Sequence, residues 1–397
     1  MTALLIFAGT YLVVAIGRLP GFRVDRTGAA IIGASLMLAF NVLTVQEAYA
    51  AIDYDTIILL FGMMIVVANL RLSGFFTLVS ERVLEHAHRP LVLLAAITLV
   101  AGAFSAFFVN DTMCLVLTPL VLEVTTRLRR NPVPYLLAVA MGSNVGSVAT
   151  ITGNPQNMMI GSLSGIHYRA FAAALAPVAG VCLVVVVAAI ALLYRREFRQ
   201  EPELVIEPRR VRIDRPLLAK SLAVTAAMVG FFFAGWPVSK VALVAGAVLL
   251  LTRRVKPEKI YRQIDWSLLV LFTGLFIAVA GAEKATAGLL AGASHLHLER
   301  TGVMTACAAV LSNLLSNVPA VLVFKPLVPH LADPRHAWLT LAMASTLAGN
   351  LTILGSVANL IVVERSRREV RIGLWEYARV GIPVAIVTLA LGAWMLS

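Results

Sequence analysis

The stretch SNVGSVATITGNPQNMMIG, residues 143–161, decides the fold, because it puts a polar break inside a segment otherwise apolar enough to span a bilayer. Gly153 and Pro155 interrupt a helix here, and three amide side chains fall within residues 154–157. The hydrocarbon core offers no hydrogen-bond partners, so backbone groups freed by the break must be packed in protein or line a cavity. We therefore predict a binding site at this break, with a plainly kinked helix as the alternative.

A second copy of this pattern, MASTLAGNLTILGSVANLIV, occupies residues 343–362. When Gly153 is set against Gly355, Asn157 falls on Asn359. A break that recurs with the same glycine and the same amide is unlike a chance kink. The repetition strengthens the prediction of a site.

Segments upstream of the two breaks also match each other. AFSAFFVNDTMCLVLTPLV, residues 103–121, aligns with VLSNLLSNVPAVLVFKPLV, residues 310–328. Further upstream, Asp53 matches Asp265 and Gly62 matches Gly274. The chain is therefore predicted to be a duplication, and repeats with interrupted apolar segments at corresponding places are typical of secondary transporters.

The composition indicates a membrane protein. Of 397 residues, 59% are hydrophobic and 14% are charged, and the mean hydropathy is +0.87, which lies outside the soluble range. A formal net charge of +12 would suggest nucleic acid in a soluble protein, but here the cations are expected in loops, so no nucleic-acid partner is predicted. The predicted fold is an all-α polytopic membrane protein with about ten transmembrane helices, two re-entrant hairpins and two broken helices.

The predicted domains are the two repeats. The first covers residues 1–196, with a hairpin at about 91–128 and a broken helix at 133–165. The second covers 214–397, with a hairpin at about 302–330 and a broken helix at 336–363, and a charged cytoplasmic linker, 197–213, joins the two. The first hairpin could equally be two spans, but its polar tip favours a re-entrant hairpin facing the break.

The distribution of basic residues predicts the orientation. If the N-terminus is outside, most of the 33 Lys and Arg residues fall in cytoplasmic loops. Both termini are then outside the inner (cytoplasmic) membrane, and the second repeat enters from the opposite side to the first. The repeats are therefore predicted to be inverted, with both hairpin tips meeting near the midplane.

The residues predicted to bind substrate or ion have amide or hydroxyl side chains, a carboxylate, or glycine backbone. They are Asn110, Asp111, Thr112, Thr152, Gly153, Asn154 and Asn157 in the first repeat, and Ser316, Asn317, Asn350, Thr352, Gly355, Ser356 and Asn359 in the second. Such a set supplies hydrogen-bond donors and acceptors, which suits a small anion or a polyhydroxylated neutral solute. Helix N-termini at the breaks add further N–H donors.

Asp111 is the acid that the predicted spans place deep in this site. An ionisable side chain at that depth costs several kcal/mol unless it is neutralised, paired or hydrated, so Asp111 is the candidate proton carrier. The alternative is that Asp111 caps its own helix. The sequence predicts no metal site, with a sodium ion at the hairpin tips as the remaining option, and no cofactor. The absence of phosphate-loop, HExxH and nucleophile-elbow motifs predicts that the chain is not an enzyme.

Four motifs carry a resemblance over nearly the whole chain: NDTMCLVLTPLVLE, SNVGSVATITGNPQNMMIG, LSNVPAVLV and AGNLTILGSVANLIV. They are similar to those of the ion transporter superfamily, in particular its branch of arsenite permeases and plant silicon efflux transporters, related to sodium-coupled dicarboxylate carriers. The resemblance implies a scaffold and a mobile transport domain that carries substrate by an elevator-like movement. For this branch it also implies proton exchange as the driving force.

The leading prediction is a secondary active transporter of a small inorganic anion or metalloid hydroxide of the arsenite or silicic acid type, working by proton-coupled efflux. The tips depart from the Ser-Asn-Thr tips of sodium-coupled dicarboxylate carriers, since Val109 precedes and Asp111 follows Asn110. Two alternatives stay open: a sodium-coupled anion or dicarboxylate importer, and the membrane subunit of an ATP-driven arsenite pump with a soluble ATPase subunit. The predicted partners are the solute, a proton or sodium ion and the lipid bilayer, and a homodimer stays open.

Overall fold

The computed structural model describes residues 1–17, 21–86, 89–199, 213–286 and 297–397, and the regular secondary structure in these ranges is helical. Six of the described helices are long and apolar enough to cross a membrane, and four shorter apolar helices accompany them. The prediction of an all-α polytopic membrane protein is confirmed. Most of the predicted linker, residues 200–212, lies outside the described residues.

The first half of the chain contains eleven described helices. They are α1 (Thr2–Ile16), α2 (Arg26–Ala39), α3 (Val45–Ala51), α4 (Tyr54–Leu72), α5 (Phe75–His86), α6 (Pro90–Phe107), α7 (Asn110–Arg127), α8 (Pro132–Ser147), α9 (Pro155–Ser164), α10 (Tyr168–Leu193) and α11 (Arg195–Arg199). A 3₁₀ turn, Ile151–Gly153, separates α8 from α9. Helices α6 and α7 form the predicted hairpin, and the predicted broken helix is α8 followed by α9.

The second half repeats this order. Its described helices are α12 (Arg215–Phe233), α13 (Val238–Leu250), α14 (Pro257–Tyr261), α15 (Trp266–Thr286), α16 (Thr301–Leu315), α17 (Asn317–Phe324), α18 (Pro334–Ala348), α19 (Val357–Ser366) and α20 (Leu374–Leu396). A 3₁₀ turn, Ile353–Gly355, separates α18 from α19. Helices α16 and α17 form the second hairpin.

One group of helices joins the two halves through glycine contacts. Helix α4 packs on α13, and α15 packs on α2. A Cβ atom at Gly62 would lie 2.6 Å from the backbone of Ala242, and one at Gly274 would lie 2.7 Å from the backbone of Ala30. Since Gly62 and Gly274 are matched positions of the internal repeat, the two halves contact each other through equivalent surfaces. The absence of side chains at the glycines lets the helix backbones approach closely.

A second group contains the hairpins and the broken helices. Helix α6 packs on α8 and α16 packs on α18, while α7 packs against α19 of the other half. Helices α10 and α20, which occupy equivalent places in the two halves, also pack against each other. The four segments with polar interruptions are thereby collected in one place, and the site lies among them.

Candidate functional site

Both hairpin tips turn through a residue with left-handed backbone. Val109 has φ 38° and Ser316 has φ 78°, and the two residues are equivalent in the internal repeat. A β-branched residue with positive φ is strained, and such strain persists only where the surroundings hold it in place. The strained residue lets a new helix begin directly at each tip, because Asn110 and Asn317 are the first residues of α7 and α17.

Four helices begin at one cavity. Helices α7 and α17 start at the tips, and α9 and α19 start just after the two 3₁₀ turns. The first turns of all four contribute to the wall of a cavity of about 60 Å³. It is lined by Val14, Arg26, Asn110, Asp111, Pro155, Gln156, Leu268, Leu271, Phe272, Leu275, Ser316, Asn317, Val318, Pro319, Ser356 and Val357. Unsatisfied N–H groups at helix N-termini favour negative or electron-rich groups, so the wall is built to bind oxygen atoms.

The breaks are closed by amide side chains that replace the lost helical hydrogen bonds. Asn154 and Ser356 cap the helices that follow, accepting from the backbone N–H of Asn157 and Ala358 respectively. The Asn157 amide then donates to the carbonyl groups of Ser147 (3.1 Å) and Thr150 (3.0 Å). Ser147 is the last residue of α8, where a helix leaves its last acceptors without partners, and Thr150 directly precedes the 3₁₀ turn.

The second break is closed in the same way. Asn359 donates to the carbonyl of Gly349 at 2.7 Å and to that of Thr352 at 3.0 Å. The matched amides Asn157 and Asn359 therefore hold the shape of the two breaks. Neither is among the residues that line the cavity.

Asn144, in the last turns of α8, connects the two halves of the site. Its amide nitrogen donates to Asn350 Oδ1 (2.8 Å) and to Asn359 Oδ1 (2.9 Å) in the second break. Its Oδ1 accepts from Asn110 Nδ2 at the first tip (3.0 Å) and from Ser356 Oγ (3.0 Å). The side chain is fully buried and its amide forms four hydrogen bonds, as a buried polar group requires.

Thr346, in α18, occupies the corresponding place in the second half. Its hydroxyl accepts from Asn154 Nδ2 (3.2 Å) and Gln156 Nε2 (3.0 Å) in the first break. The second tip joins the same network when the Asn317 amide is oriented with its nitrogen toward the Gly355 carbonyl, 3.2 Å away, since its oxygen then accepts from Gln156 Nε2 at 3.3 Å. Each half thus positions the break of the other.

Asp111 lies in the cavity wall beside Arg26. The side chain of Val109, which precedes α7, forms no cap hydrogen bond, and capping of α7 by Asp111 stays the alternative prediction. The electrostatic surroundings of the Asp111 carboxyl group include the backbone N–H of Ala358 in the first turn of α19 and the charges of Asp265 and Arg26. The one acid of the cavity therefore faces a helix N-terminus, a cation and a second acid.

The remaining predicted site residues lie around the cavity rather than in its wall. Thr112 lines an adjoining cavity of about 80 Å³. Thr152 is buried with its hydroxyl 3.0 Å from Tyr168 Oη, while Thr352 is exposed and donates to Asn313. Five predicted residues do line the cavity: Asn110, Asp111, Ser316, Asn317 and Ser356.

Glycine is required in the breaks by close backbone packing. A Cβ at Gly153 would lie 2.1 Å from the Ser147 carbonyl oxygen, and one at Gly355 would lie 2.7 Å from Asn313 Oδ1. These glycines face the protein's own groups, and neither is among the residues that line the cavity. Gly153 lets the chain fold back on the end of α8.

Arg26, Asn144 and Thr346 are site residues that the sequence did not single out. Asn144 stands inside the quoted motif, and its match to Thr346 in the internal repeat is the signal that would have found both. Arg26 lies in a basic loop segment, where nothing in the sequence separates it from its neighbours. Within the described ranges, no group of three His, Cys, Asp or Glu side chains could hold a metal ion.

The combination of apolar spans, interrupted helices and a polar cavity where the interruptions meet defines a membrane transport protein. The family described as CitMHS, citrate transporter, matches residues 11–348. The chain belongs to that family, which lies within the ion transporter superfamily predicted from its motifs, and it is a transporter rather than an enzyme.

Relatives match over most of the chain. The silicon efflux transporter LSI3 of Oryza sativa subsp. japonica is 30% identical over 448 residues, covering 94% of this chain and 92% of that protein. A protein named arsB from Dictyostelium discoideum is 26% identical over 492 residues, covering 93% of this chain and 86% of that protein. The crystal structure of the YdaH transporter of Alcanivorax borkumensis has a TM-score of 0.62 at 14% identity, covering 100% of this chain and 96% of that one, which shows a shared fold.

Proposed function

We propose that the protein is a secondary active transporter that exports a small metalloid hydroxide, of the arsenite or silicic acid type, or a small inorganic anion, in exchange for protons. The observation that carries this proposal is the cavity at which the four helices α7, α9, α17 and α19 begin. In this proposal both termini lie outside the inner membrane. Export carries the solute from the cytoplasm outward.

The size of the cavity supports a small solute. A volume of about 60 Å³ has room for a few water molecules. Arsenous and silicic acids are compact molecules whose surfaces consist of hydroxyl groups, and a tricarboxylate is a much larger molecule. The amide, hydroxyl and helix N-terminal groups in the wall match such a surface, because each can donate to or accept from a hydroxyl group.

The balance of charge supports the same class of substrate. Among the described residues of the wall, Arg26 is the one cation and Asp111 the one acid. A substrate with two or three carboxylates would bring more negative charge than the cavity can neutralise. The wall offers one arginine and the helix N-termini, and it already contains the acid Asp111. A neutral hydroxide or a singly charged anion adds little charge, and Asp111 is then free to exchange a proton.

The position of the cavity supports an elevator-like movement. One side of its wall comes from α1, α2 and α15, and the other side from the hairpins and the broken helices. In this proposal, the first group is the scaffold. The hairpin and broken-helix group is the transport domain, which carries the cavity along the scaffold.

The proposal is tested with purified protein in proteoliposomes loaded at acidic pH. Vesicles with an acidic interior are expected to accumulate arsenite or silicic acid from a neutral medium, and collapsing the pH gradient with a proton ionophore should abolish accumulation. Sodium-free buffers should leave the rate unchanged. Accumulation that follows a sodium gradient at fixed pH would overturn proton exchange.

A second candidate, a sodium-coupled importer of anions or dicarboxylates, is favoured by the description of the family as a citrate transporter family. Succinate and citrate uptake under a sodium gradient, measured in the same vesicles, distinguishes it from the first. The third possibility, a subunit of an ATP-driven pump, requires transport to depend on an added ATPase. Transport by the purified chain alone would exclude that requirement.

A further inference from the structure

Charged side chains accompany Asp111 in the walls of two adjoining cavities. In the cavity wall it lies beside Arg26, and the adjoining cavity of about 80 Å³ is lined by Asp111 together with Arg71 and Asp265. Asp111 is thus placed between two cavities, and both have charged side chains in their walls. Within the described residues, these are the charged side chains that line the two cavities; Cys114 on α7 is a further titratable group that interacts with Asp111.

Arg26 and Asp265 are held together on the scaffold. Arg26 is the first residue of α2, and Asp265 immediately precedes α15, whose Leu268 N–H it accepts at 3.0 Å. Helices α2 and α15 pack together, and the Thr27 hydroxyl donates to the Ser267 carbonyl at 3.2 Å. The two charges therefore keep their places when another part of the protein moves.

Asp111 belongs to the other group of helices. It lies in the first turn of α7, at the tip of the first hairpin. If the hairpin moves along the scaffold, the distances from Asp111 to Arg26 and to Asp265 must both change. The electrostatic environment of Asp111 then depends on the position of the transport domain.

The internal repeat shows that packing does not require these charges. The Gly62–Ala242 and Gly274–Ala30 contacts are equivalent in the two halves. When the halves are aligned so that these contacts match, Arg26 corresponds to Val238. Asp111 corresponds to Val318. Valine serves at both positions in the second half, where the helices pack in the same way. The Arg26–Asp111 pair is confined to one end of the site, which the predicted orientation places on the cytoplasmic side.

We infer that Arg26 is a coupling residue. When the first hairpin lies against α2 and α15, Arg26 on the scaffold attracts the ionised Asp111 carboxylate. This attraction drives proton release on that side of the membrane. This inference rests on the proposed proton exchange. When the hairpin leaves Arg26, the carboxylate loses its cation at membrane depth and takes up a proton from the other side. Asp265 opposes Arg26, because a second negative charge disfavours ionisation of Asp111.

The two scaffold charges give opposite predictions for two variants. Removing the positive charge in Arg26→Gln should shift the ionisation of Asp111 to higher pH, because a nearby positive charge favours the carboxylate. Removing the negative charge in Asp265→Asn should shift ionisation to lower pH. Arg26→Lys keeps the charge and should stay close to the wild type.

The measurement is the pH titration of the Asp111 carboxyl band by infrared spectroscopy of the purified, substrate-free protein. The band is assigned by its loss in Asp111→Asn. The matched control is Arg23→Gln, which removes an exposed cation three residues from Arg26. Opposite shifts for Arg26→Gln and Asp265→Asn, with no shift for Arg23→Gln, would support the inference.

Two results would overturn it. One is an Asp111 titration that is the same in Arg26→Gln as in Arg23→Gln, and the other is a shift of the same sign in Arg26→Gln and Asp265→Asn. If Arg26→Gln does not fold, Arg26→Met, which also removes the positive charge, is titrated in its place. The titration needs no substrate and is therefore separate from the vesicle experiment. Transport by the wild type without proton coupling would refute the proposed function. An Asp111 titration that does not change in the Arg26 variant would refute the role of Arg26 alone.

Discussion

Replacing Asn144 by leucine tests whether the cross-connections between the two halves hold the site together. Leucine has the same branching as asparagine, with two methyl groups in place of the amide oxygen and nitrogen, and keeps the fully buried position filled. The change removes four side-chain hydrogen bonds, to Asn110, Asn350, Ser356 and Asn359. All four partners are buried and lose a partner at once.

The expected loss of stability follows from the number of bonds. Interhelical hydrogen bonds in membrane proteins contribute about 0.6 kcal/mol each, and those of soluble proteins about 1 kcal/mol. Four bonds therefore give a decrease of roughly 2 to 4 kcal/mol in the free energy of unfolding. Transport should be lost together with stability, since the first tip and the second break are then no longer aligned.

Equilibrium unfolding in mixed micelles measures this decrease. Thr388→Val is a suitable control, because the buried Thr388 hydroxyl donates only to carbonyls of its own helix, such as Val384 at 2.7 Å. Its free energy of unfolding should change by no more than about 0.5 kcal/mol. If Asn144→Leu is as stable as Thr388→Val, the network does not hold the site and the reasoning fails.

Three further outcomes are expected. Gly153→Ala should lower the melting temperature, because the added Cβ would clash with a backbone carbonyl. Gly180→Ala should leave it unchanged, since a Cβ there would have no atom within 4 Å. Equal melting temperatures for the two variants would contradict the packing argument. The hydrogen bond from Lys284 lowers the pKa of Glu47 to about 2 from about 4.5. The wild type should therefore be more stable than Glu47→Gln at pH 7, and this advantage should fade below about pH 4.5. A difference in stability that does not depend on pH would refute the prediction. Asp111→Asn should keep solute exchange but lose accumulation driven by the pH gradient, and wild-type accumulation in this variant would remove Asp111 from coupling.

The spans were predictable because they depend on local composition. The helices Tyr54–Leu72 and Leu374–Leu396, for example, each coincide with an apolar run that is visible in the sequence and has the length of a spanning helix. The breaks were also predictable, because glycine, proline and amide side chains recur at matched positions. The exact start of the first break was not predictable: α8 ends at Ser147, and the extended residue Thr150 precedes the 3₁₀ turn.

The cross-connections were not predictable from the pattern. Asn144 and Asn350 are 206 residues apart in the chain, and no local signal shows that one amide meets the other. Lys325 likewise pairs at 3.3 Å with Glu283, which lies 42 residues earlier in the chain. Such pairings depend on how the two halves are placed relative to each other, which only the structure gives.

The central claim is that solute moves in exchange for a proton carried by Asp111. A pH-sensitive dye inside proteoliposomes tests it most directly, when arsenite or silicic acid is added outside at equal internal and external pH. Exchange predicts that the interior becomes more alkaline as solute enters, and that this signal is absent in Asp111→Asn. Entry of solute with no change in internal pH, or an equal alkalinisation in Asp111→Asn, would contradict the claim.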